Sequence, residues 1–311
     1  MDSYTTALLT EAINFYDFAN PKAEFIRHNE NMTYSIEDGQ MKYLLRIHEE
    51  AEGLDFSFSR GELSRELLIS SEIELLNGLF NRNDLVVQKP VKNKGNQYLT
   101  RLKNGTIATV LSWINGDTLY RKELSVPAVY KIGQMIAMLH RSTRVLPRMN
   151  RLVYDETIAD MLLSETQGAK NIKHIDVCIC EKFLTLINET KKVLLRQKED
   201  FIIIHADLSK SNMVDNGITI SPIDFSMSGY GSPELEIGGL YFDIDDNKSR
   251  LALLSGYESV AGSILNKEYI NMYEAYSVIW YILIHHKQWG TDEKFQRKIE
   301  RLTANTLDPL L

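Results

Sequence analysis

The chain has 311 residues, of which 44% are hydrophobic and 25% charged, a composition that is typical of a soluble globular protein and excludes extensive disorder. Its formal net charge of −7 makes nucleic acid an unexpected partner and favours, weakly, a cationic small-molecule ligand. The longest strongly apolar run, residues 278–284, is too short to span a bilayer, and the amino terminus lacks the regions of a signal peptide. We therefore expect a cytoplasmic location and no membrane partner.

The amino-terminal third predicts one helix followed by β-structure. Residues 4–18 carry apolar side chains at helical spacing and end before Pro21. Two β-rich segments then flank a polar tip at residues 28–31, and a third strand, residues 43–47, follows an Asp38-Gly39 turn. The third strand carries one basic residue near its end, Arg46, which either faces solvent or serves a ligand.

An amphipathic helix is predicted from Ser64 onward, because leucines and isoleucines recur there at three- and four-residue spacing. Three glutamates lie in it: Glu66, Glu72 and Glu74. Residues 97–102 and 106–111 then form a predicted hairpin around Asn104-Gly105, which completes a sheet of five strands. The polar, glycine-containing stretch that follows predicts a break between two regions of the fold near residues 111–116.

Beyond this break, the apolar periodicity predicts a mainly helical region. The predicted helices are residues 129–141, 158–164, 177–198, 250–265, 269–286 and 292–305.

Residues 201–225 interrupt these helices with a different pattern. The apolar run 201–204 predicts a short buried strand that places His205, Asp207 and Asn212 on the loop after it. A hairpin follows, with an Asn216-Gly217 turn between residues 213–214 and 218–220, and the returning chain reaches Asp224. The hairpin should therefore bring Asp224 back beside Asn212.

This arrangement matches the template for phosphoryl transfer, in which an Asp accepts the proton of the attacking hydroxyl and an Asn five residues later and a further Asp hold Mg²⁺. Asp207 is then the candidate catalytic base, and Asn212 and Asp224 are the candidate metal ligands. Two alternatives stay open for the carboxylates: they cap loop turns, or they belong to a metallohydrolase site with His205. A structural role in holding the loop is the favoured interpretation of His205.

The segment His205-Ala206-Asp207 with Asn212, followed by Ile223-Asp224-Phe225, resembles the aminoglycoside phosphotransferase family, which includes choline-kinase-like and homoserine-kinase-like enzymes. The resemblance implies an α+β, protein kinase-like fold with two lobes. Residues 1–114 would form an amino-terminal, nucleotide-binding lobe with an antiparallel sheet, with a hinge near residues 111–116. Residues 115–311 would form a mainly helical carboxy-terminal lobe with the catalytic loop and the acceptor site.

The same resemblance implies roles for further residues. Nucleotide binding falls to five positions: Asn31 in the tip, Arg46 on the third strand, Glu72 as the partner of Arg46, the carbonyl of Ser112 and the amide of Ile114. Glu236 stands where relatives carry an Asp that braces the catalytic loop. The acidic cluster Asp243, Asp245 and Asp246 is either solvated or recognises an amino group of the acceptor.

The expected activity is transfer of a phosphate from ATP, or from GTP, with Mg²⁺, to a hydroxyl of a small molecule such as an aminoglycoside, an amino alcohol, homoserine or a sugar. Two alternatives remain. The tip has no glycine and the strand carries Arg46 where protein kinases carry Lys, which would suit a nucleotide-binding regulator with little catalysis. A Ser/Thr protein kinase is the other, although no Ala-Pro-Glu segment follows Asp224.

Overall fold

The chain folds into two compact units in a computed structural model, and each unit is described by itself. The structure describes residues 3–28, 30–49, 63–82 and 84–311. Unit 1 comprises Met1–Gly116 and Arg148–Asn150. Unit 2 comprises Asp117–Pro147 and Arg151–Leu311.

An antiparallel sheet dominates the described part of unit 1. Its strands are β1 Lys22–His28, β2 Met32–Asp38, β3 Met41–Ile47, β4 Pro90–Val91, β5 Thr100–Arg101 and β6 Ile107–Ser112. They are ordered β1-β2-β3-β6-β4, and β5 also pairs with β6. Among the described residues of unit 1, two helices accompany the sheet, α1 Ser3–Asn14 and α2 Arg65–Arg82.

The sheet has six strands, so the predicted number of five was wrong. The additional strand is β4, whose first residue, Pro90, pairs with Leu111 of β6. A proline has no amide hydrogen to donate to a ladder, so the sequence indicated an interruption there, whereas the edge of a sheet tolerates a proline. The turn before β3 uses Gly39, whose φ of 63° is accessible to glycine without strain.

Unit 2 is mainly helical, as predicted. Its helices are α3 Val126–Thr143, α4 Glu156–Asn171, α5 Val177–Gln197, α6 Pro233–Leu240, α7 Asn247–Ala261, α8 Lys267–Trp289 and α9 Glu293–Leu302. Helix α6 was not predicted, although Ser232 caps it and Pro233 occupies its first turn, which is a typical start signal. Among the described residues, no helix has the length and apolar character needed to cross a membrane.

Helices α3 and α7 approach each other so closely that each needs a glycine at the contact. A Cβ atom on Gly133 of α3 would lie 2.1 Å from the Leu253 carbonyl oxygen. A Cβ atom on Gly256 of α7 would lie 2.0 Å from the Tyr130 carbonyl oxygen. Because real contacts of this kind are never so short, the packing of these two helices depends on both glycines.

Two small sheets of unit 2 carry the polar loops. Their strands are β7 Asp117–Thr118, β8 Leu152–Val153, β9 Ile202–Ile204, β10 Met213–Asp215, β11 Ile220–Pro222 and β12 Gly229–Gly231. The first sheet has the order β11-β10-β7 and the second β8-β12-β9.

The hairpin β10–β11 exists, but its turn differs from the predicted one. Strand β11 begins at Ile220 and not at Ile218, because the Asn216 side-chain oxygen accepts hydrogen bonds from the amides of Ile218 and Thr219. These amides are therefore used inside the loop and cannot join the ladder. Gly217 has a φ of 86°, and Asn216 is not among the residues with positive φ.

Candidate active site

The loop after β9 is the centre of the candidate site in unit 2. Ile202, Ile203 and Ile204 are buried, and β12 pairs with them, so the end of the strand is fixed. The chain then turns through Ala206, whose φ of 62° is unusual for a residue other than glycine. This turn places Asp207 at the surface while His205 stays buried.

Glu236 of α6 holds this turn from the interior. Its Oε2 accepts a hydrogen bond from the His205 amide at 2.5 Å, and its Oε1 accepts one from the Ala206 amide at 3.0 Å. His140 Nε2 lies 3.6 Å from Glu236 Oε2, and His140 Nδ1 lies 3.0 Å from the Tyr257 hydroxyl oxygen. Glu236 is only 3% exposed, so these hydrogen bonds lie in the interior of unit 2. They stabilise the unusual backbone conformation of Ala206.

Asp207 and Asn212 contact each other directly. Asn212 Nδ2 donates to Asp207 Oδ2 at 2.8 Å and to the Asp207 carbonyl oxygen at 2.9 Å. The donor side of the Asn212 amide therefore faces Asp207, and its oxygen is the atom that remains for a hard cation. The side chain of Asn212 is held in a buried position, 5% exposed, at the end of the short 3₁₀ turn Lys210–Asn212.

Two contacts place the Asp224 segment beside this loop. The Ile223 amide donates to the Asn212 carbonyl oxygen at 2.9 Å, and His205 Nε2 donates to the Ile223 carbonyl oxygen at 3.0 Å. Asp224 follows directly, half-buried and with a φ of 65°. The structure thus brings the three predicted residues of unit 2, Asp207, Asn212 and Asp224, onto adjoining backbone segments.

The three aspartates of the acidic cluster, Asp243, Asp245 and Asp246, have different surroundings. Asp243 Oδ2 accepts a hydrogen bond from the Lys210 amide at 2.8 Å, which connects the loop after β9 to the 3₁₀ turn Tyr241–Asp243. The Asp246 side chain caps α7 by accepting from the Ser249 amide at 2.9 Å. Asp245 is exposed. The sequence offered no signal for the first of these contacts, because it joins residues 33 positions apart.

Unit 1 contains a buried ion pair between β3 and α2. Arg46 Nη1 lies 2.9 Å from Glu72 Oε1, and the two side chains are 4% and 3% exposed. Glu66, in contrast, pairs with Arg101 at the surface. Close by, His48 Nε2 lies 2.9 Å from Thr109 Oγ1, and burial, together with the charges of Arg46 and Arg65, holds the pKa of His48 well below its usual value. His48 therefore adds no second positive charge beside Arg46 at neutral pH.

The remaining predicted residues of unit 1 are Asn31 on the tip, Ser112 at the end of β6 and Ile114 just after that strand. Asn31 lies between β1 and β2, and the neighbouring Glu30 carbonyl oxygen accepts a hydrogen bond from Arg65 Nη2 at 2.8 Å. Asn29, also part of the predicted tip, lies outside the described residues.

The two backbone groups predicted to bind the nucleotide, the Ser112 carbonyl and the Ile114 amide, differ in their hydrogen bonding. The Ser112 carbonyl oxygen accepts from Gln88 Nε2 at 3.2 Å, a contact that sequence reasoning missed. The amide of Ile114 has no acceptor within the described ranges. A carbonyl oxygen has two lone pairs, so Ser112 keeps the capacity to accept a second hydrogen bond.

No group of three or more His, Cys, Asp or Glu side chains in residues 3–28, 30–49, 63–82 and 84–311 is arranged to hold a metal ion. The oxygen donors predicted for a metal are one amide and one carboxylate, Asn212 and Asp224. Such a small set of hard donors fits Mg²⁺, which usually keeps several waters and completes its coordination with substrate phosphates.

Comparison with known proteins agrees with this architecture. The family model described as the phosphotransferase enzyme family matches residues 22–266, which is most of the chain. A search of curated protein sequences finds no match.

Several solved structures share the fold at low sequence identity. A microcompartment-associated aminopropanol kinase has a TM-score of 0.68 at 19% identity, over 97% of this chain and 95% of that one. An amicoumacin kinase in complex with AMP-PNP and Ca²⁺ has a TM-score of 0.72 at 16% identity, over 99% and 96%. The GDP complex of an aminoglycoside 2′-phosphotransferase has a TM-score of 0.70 at 15% identity, over 99% and 98%. The predicted protein kinase-like α+β fold is therefore confirmed.

Proposed function

The chain belongs to the phosphotransferase enzyme family, and from this premise we propose that it transfers the γ-phosphate of ATP to a hydroxyl group of a small molecule in a reaction that requires Mg²⁺. The observation that carries the proposal is the contact of Asn212 with Asp207 at 2.8 Å, on a loop bonded through Ile223 to the segment of Asp224. In phosphoryl transfer, one Asp accepts the proton of the attacking hydroxyl, and an Asn and a second Asp hold the metal.

Asp207 is the catalytic base of the proposed reaction. Its carboxylate is exposed, so a substrate hydroxyl can reach it, and the Asn212 amide fixes its orientation. The acceptor oxygen forms a bond to the γ-phosphorus while the bond from that phosphorus to the bridging oxygen of ADP breaks. The proton of the acceptor hydroxyl passes to Asp207, and ADP leaves with the electron pair of the broken bond.

Asn212 and Asp224 would hold the Mg²⁺ ion through the Asn212 side-chain oxygen and the Asp224 carboxylate. The ion would neutralise negative charge on the β- and γ-phosphates when the nucleotide is bound. The contribution of the chain would be to fix these two oxygen donors, and the contacts of the Asn212 side chain and of the Ile223 amide support this role.

Residues of unit 1 would bind the nucleotide. The Arg46 guanidinium is held in place by Glu72, and its planar fork suits phosphate oxygens. The carbonyl of Ser112 and the amide of Ile114 would bind the adenine edge, and Asn31 in the tip would contact the phosphates. We retain residues 1–114 as the nucleotide-binding region and residues 111–116 as the hinge.

The acceptor that we propose is an alcohol that also carries an amino group. The structurally similar aminopropanol kinase and aminoglycoside phosphotransferase are named for acceptors of this class. The net charge of −7 also favours an acceptor with a positively charged amino group. ATP is the proposed donor and GTP the alternative, since the similar structures hold AMP-PNP in one case and GDP in another. We place the reaction in the cytoplasm.

The test is acceptor-dependent nucleotide turnover. Release of ADP or GDP is measured with ATP or GTP, with Mg²⁺ or EDTA, over a panel of amino alcohols, aminoglycosides, homoserine, choline and simple sugars. The expected result is Mg²⁺-dependent release that needs an amine-bearing alcohol, with a phosphate monoester as product by ³¹P NMR. A protein that binds Mg-ATP and releases no ADP with any acceptor would contradict the proposal and favour a regulatory nucleotide site.

A further inference from the structure

The backbone directly after Asp224 is held by two buried side chains from one short segment. Residues 225–228 form a turn in which the Ser228 amide donates to the Phe225 carbonyl oxygen at 3.1 Å. Arg151 and Tyr154, which flank strand β8, contact this turn. They are 2% and 6% exposed, so both act in the interior of unit 2.

Together the two side chains bind all four carbonyl oxygens of the turn. Arg151 donates through Nη2 to Phe225 at 2.9 Å and to Ser226 at 2.8 Å, and through Nε to Ser228 at 2.8 Å. The Tyr154 hydroxyl donates to the Met227 carbonyl oxygen at 2.5 Å. The planar guanidinium, with its five N–H groups in a rigid fork, suits several acceptors at once in a way that an ammonium group does not.

The strand after the turn is fixed as well. Gly229 begins β12, which pairs with β8 on one side and with β9 on the other. A Cβ atom on Gly229 would lie 2.6 Å from the Leu152 carbonyl oxygen, so β8 and β12 approach closely at this residue. The turn of residues 225–228 is therefore anchored both by the side chains around β8 and by the strand that follows it.

This anchoring bears on Asp224 because the residue directly precedes the turn and has a φ of 65°. A residue other than glycine keeps such a backbone conformation only where its surroundings determine it. On the carboxy-terminal side of Asp224, the hydrogen bonds to the carbonyl oxygens of residues 225–228 restrain the backbone. On its amino-terminal side, the hydrogen bonds of the Ile223 amide and carbonyl oxygen do so.

We propose that Arg151 and Tyr154 are positioning residues that hold the Asp224 carboxylate in the place required for Mg²⁺-nucleotide binding. The inference rests on the proposed function, because it takes Asp224 as a metal ligand. Groups that orient a metal ligand from behind alter metal affinity or activity by about 10- to 100-fold when they are changed.

The test uses Tyr154→Phe, which removes only the hydroxyl that binds Met227, and Arg151→Lys, which keeps the charge and loses the fork. Tyr273→Phe is the matched control, because Tyr273 is also buried in unit 2 and its hydroxyl donates to Gln197 Oε1 at 2.6 Å and to no carbonyl oxygen of residues 225–228. Two quantities are measured: hydrogen exchange of residues 224–231 in the protein without metal or nucleotide, and the Mg²⁺ concentration for half-maximal binding of ADP.

Both test variants are expected to speed exchange in residues 224–231 and to raise the half-saturating Mg²⁺ concentration by about 10-fold, with ADP affinity in EDTA unchanged. Tyr273→Phe should leave both quantities at their wild-type values. Should Arg151→Lys not fold, Tyr154→Phe decides alone. If wild type binds ADP with Mg²⁺ dependence and Tyr154→Phe keeps it unaltered, the positioning role is overturned while the proposed function stands. If wild type shows no Mg²⁺ dependence, both are overturned.

Discussion

Arg46 and Glu72 form an ion pair of 2.9 Å in which both side chains are almost completely buried. The sequence offered three glutamates of one helix as partners for this arginine, and the structure selects the one that faces β3. Burying two charges costs desolvation free energy that their attraction only partly offsets, so such a pair is weak evidence of a gain in stability. Its consequence is geometric: the guanidinium is fixed on the sheet of unit 1.

The first prediction concerns this pair. Glu72→Gln should lower the free energy of unfolding by about 3–5 kcal/mol, because it leaves the Arg46 charge buried without a counter-charge. Urea unfolding measures the loss, and the Michaelis constant for ATP should rise in the same variant. Glu66→Gln is the control, since the exposed Glu66–Arg101 pair should contribute only about 0–1 kcal/mol. Equal losses in the two variants would contradict the assignment.

The second prediction separates two interpretations of the acidic cluster. Asp243→Ala should lower kcat by about 10-fold with little change in the acceptor Michaelis constant, because the Lys210 amide of the catalytic loop loses its acceptor and the loop shifts. Asp245→Ala, at an exposed position, should leave both constants unchanged. A rise in the acceptor Michaelis constant with unchanged kcat in either variant would favour recognition of an amino group by the cluster instead.

The third prediction concerns the contact of α3 with α7. Gly256→Ala should lower the free energy of unfolding by about 1–3 kcal/mol, because the new methyl group collides with the Tyr130 carbonyl oxygen. Gly168→Ala in α4 is the matched control: nothing lies within 4 Å of its Cβ position, so the variant should gain about 0.5–1 kcal/mol. Thermal unfolding of both variants checks the pair, and a stabilising effect of Gly256→Ala would contradict the packing.

Short-range chemistry made much of the candidate site predictable. The apolar run before His205 and the hairpin after Asn212 have local sequence signals, and they were sufficient to predict that Asp207, Asn212 and Asp224 lie on neighbouring segments. The turn at Asn216 differs from the prediction because the Asn216 side-chain oxygen accepts hydrogen bonds from the amides of Ile218 and Thr219. The Asn-Gly dipeptide alone does not indicate that this side chain competes with the strand for these amides.

Hydrogen bonds between buried polar groups that are far apart in the sequence could not be predicted from local patterns. The four carbonyl oxygens bound by Arg151 and Tyr154 lie more than 70 positions away along the chain, and no periodicity marks an arginine as buried. Glu72 was predicted as the partner of Arg46 only from the family resemblance, because the choice between Glu72 and Glu66 depends on the side of α2 that faces β3. Glu236 was predicted only from the family resemblance, and its contacts with the amides of His205 and Ala206 agree with a bracing role.

The measurement that tests the central claim most directly is acceptor-dependent ADP release by wild type, Asp207→Asn and the control Asp245→Asn, combined with binding of Mg-ATP by each. The account predicts that Asp207→Asn loses about 10²- to 10⁴-fold in turnover, as expected for removal of a positioned general base, while it binds Mg-ATP like wild type. Asp245→Asn should match wild type in both measurements. Turnover by Asp207→Asn at the wild-type rate would contradict the assignment of Asp207 as the catalytic base.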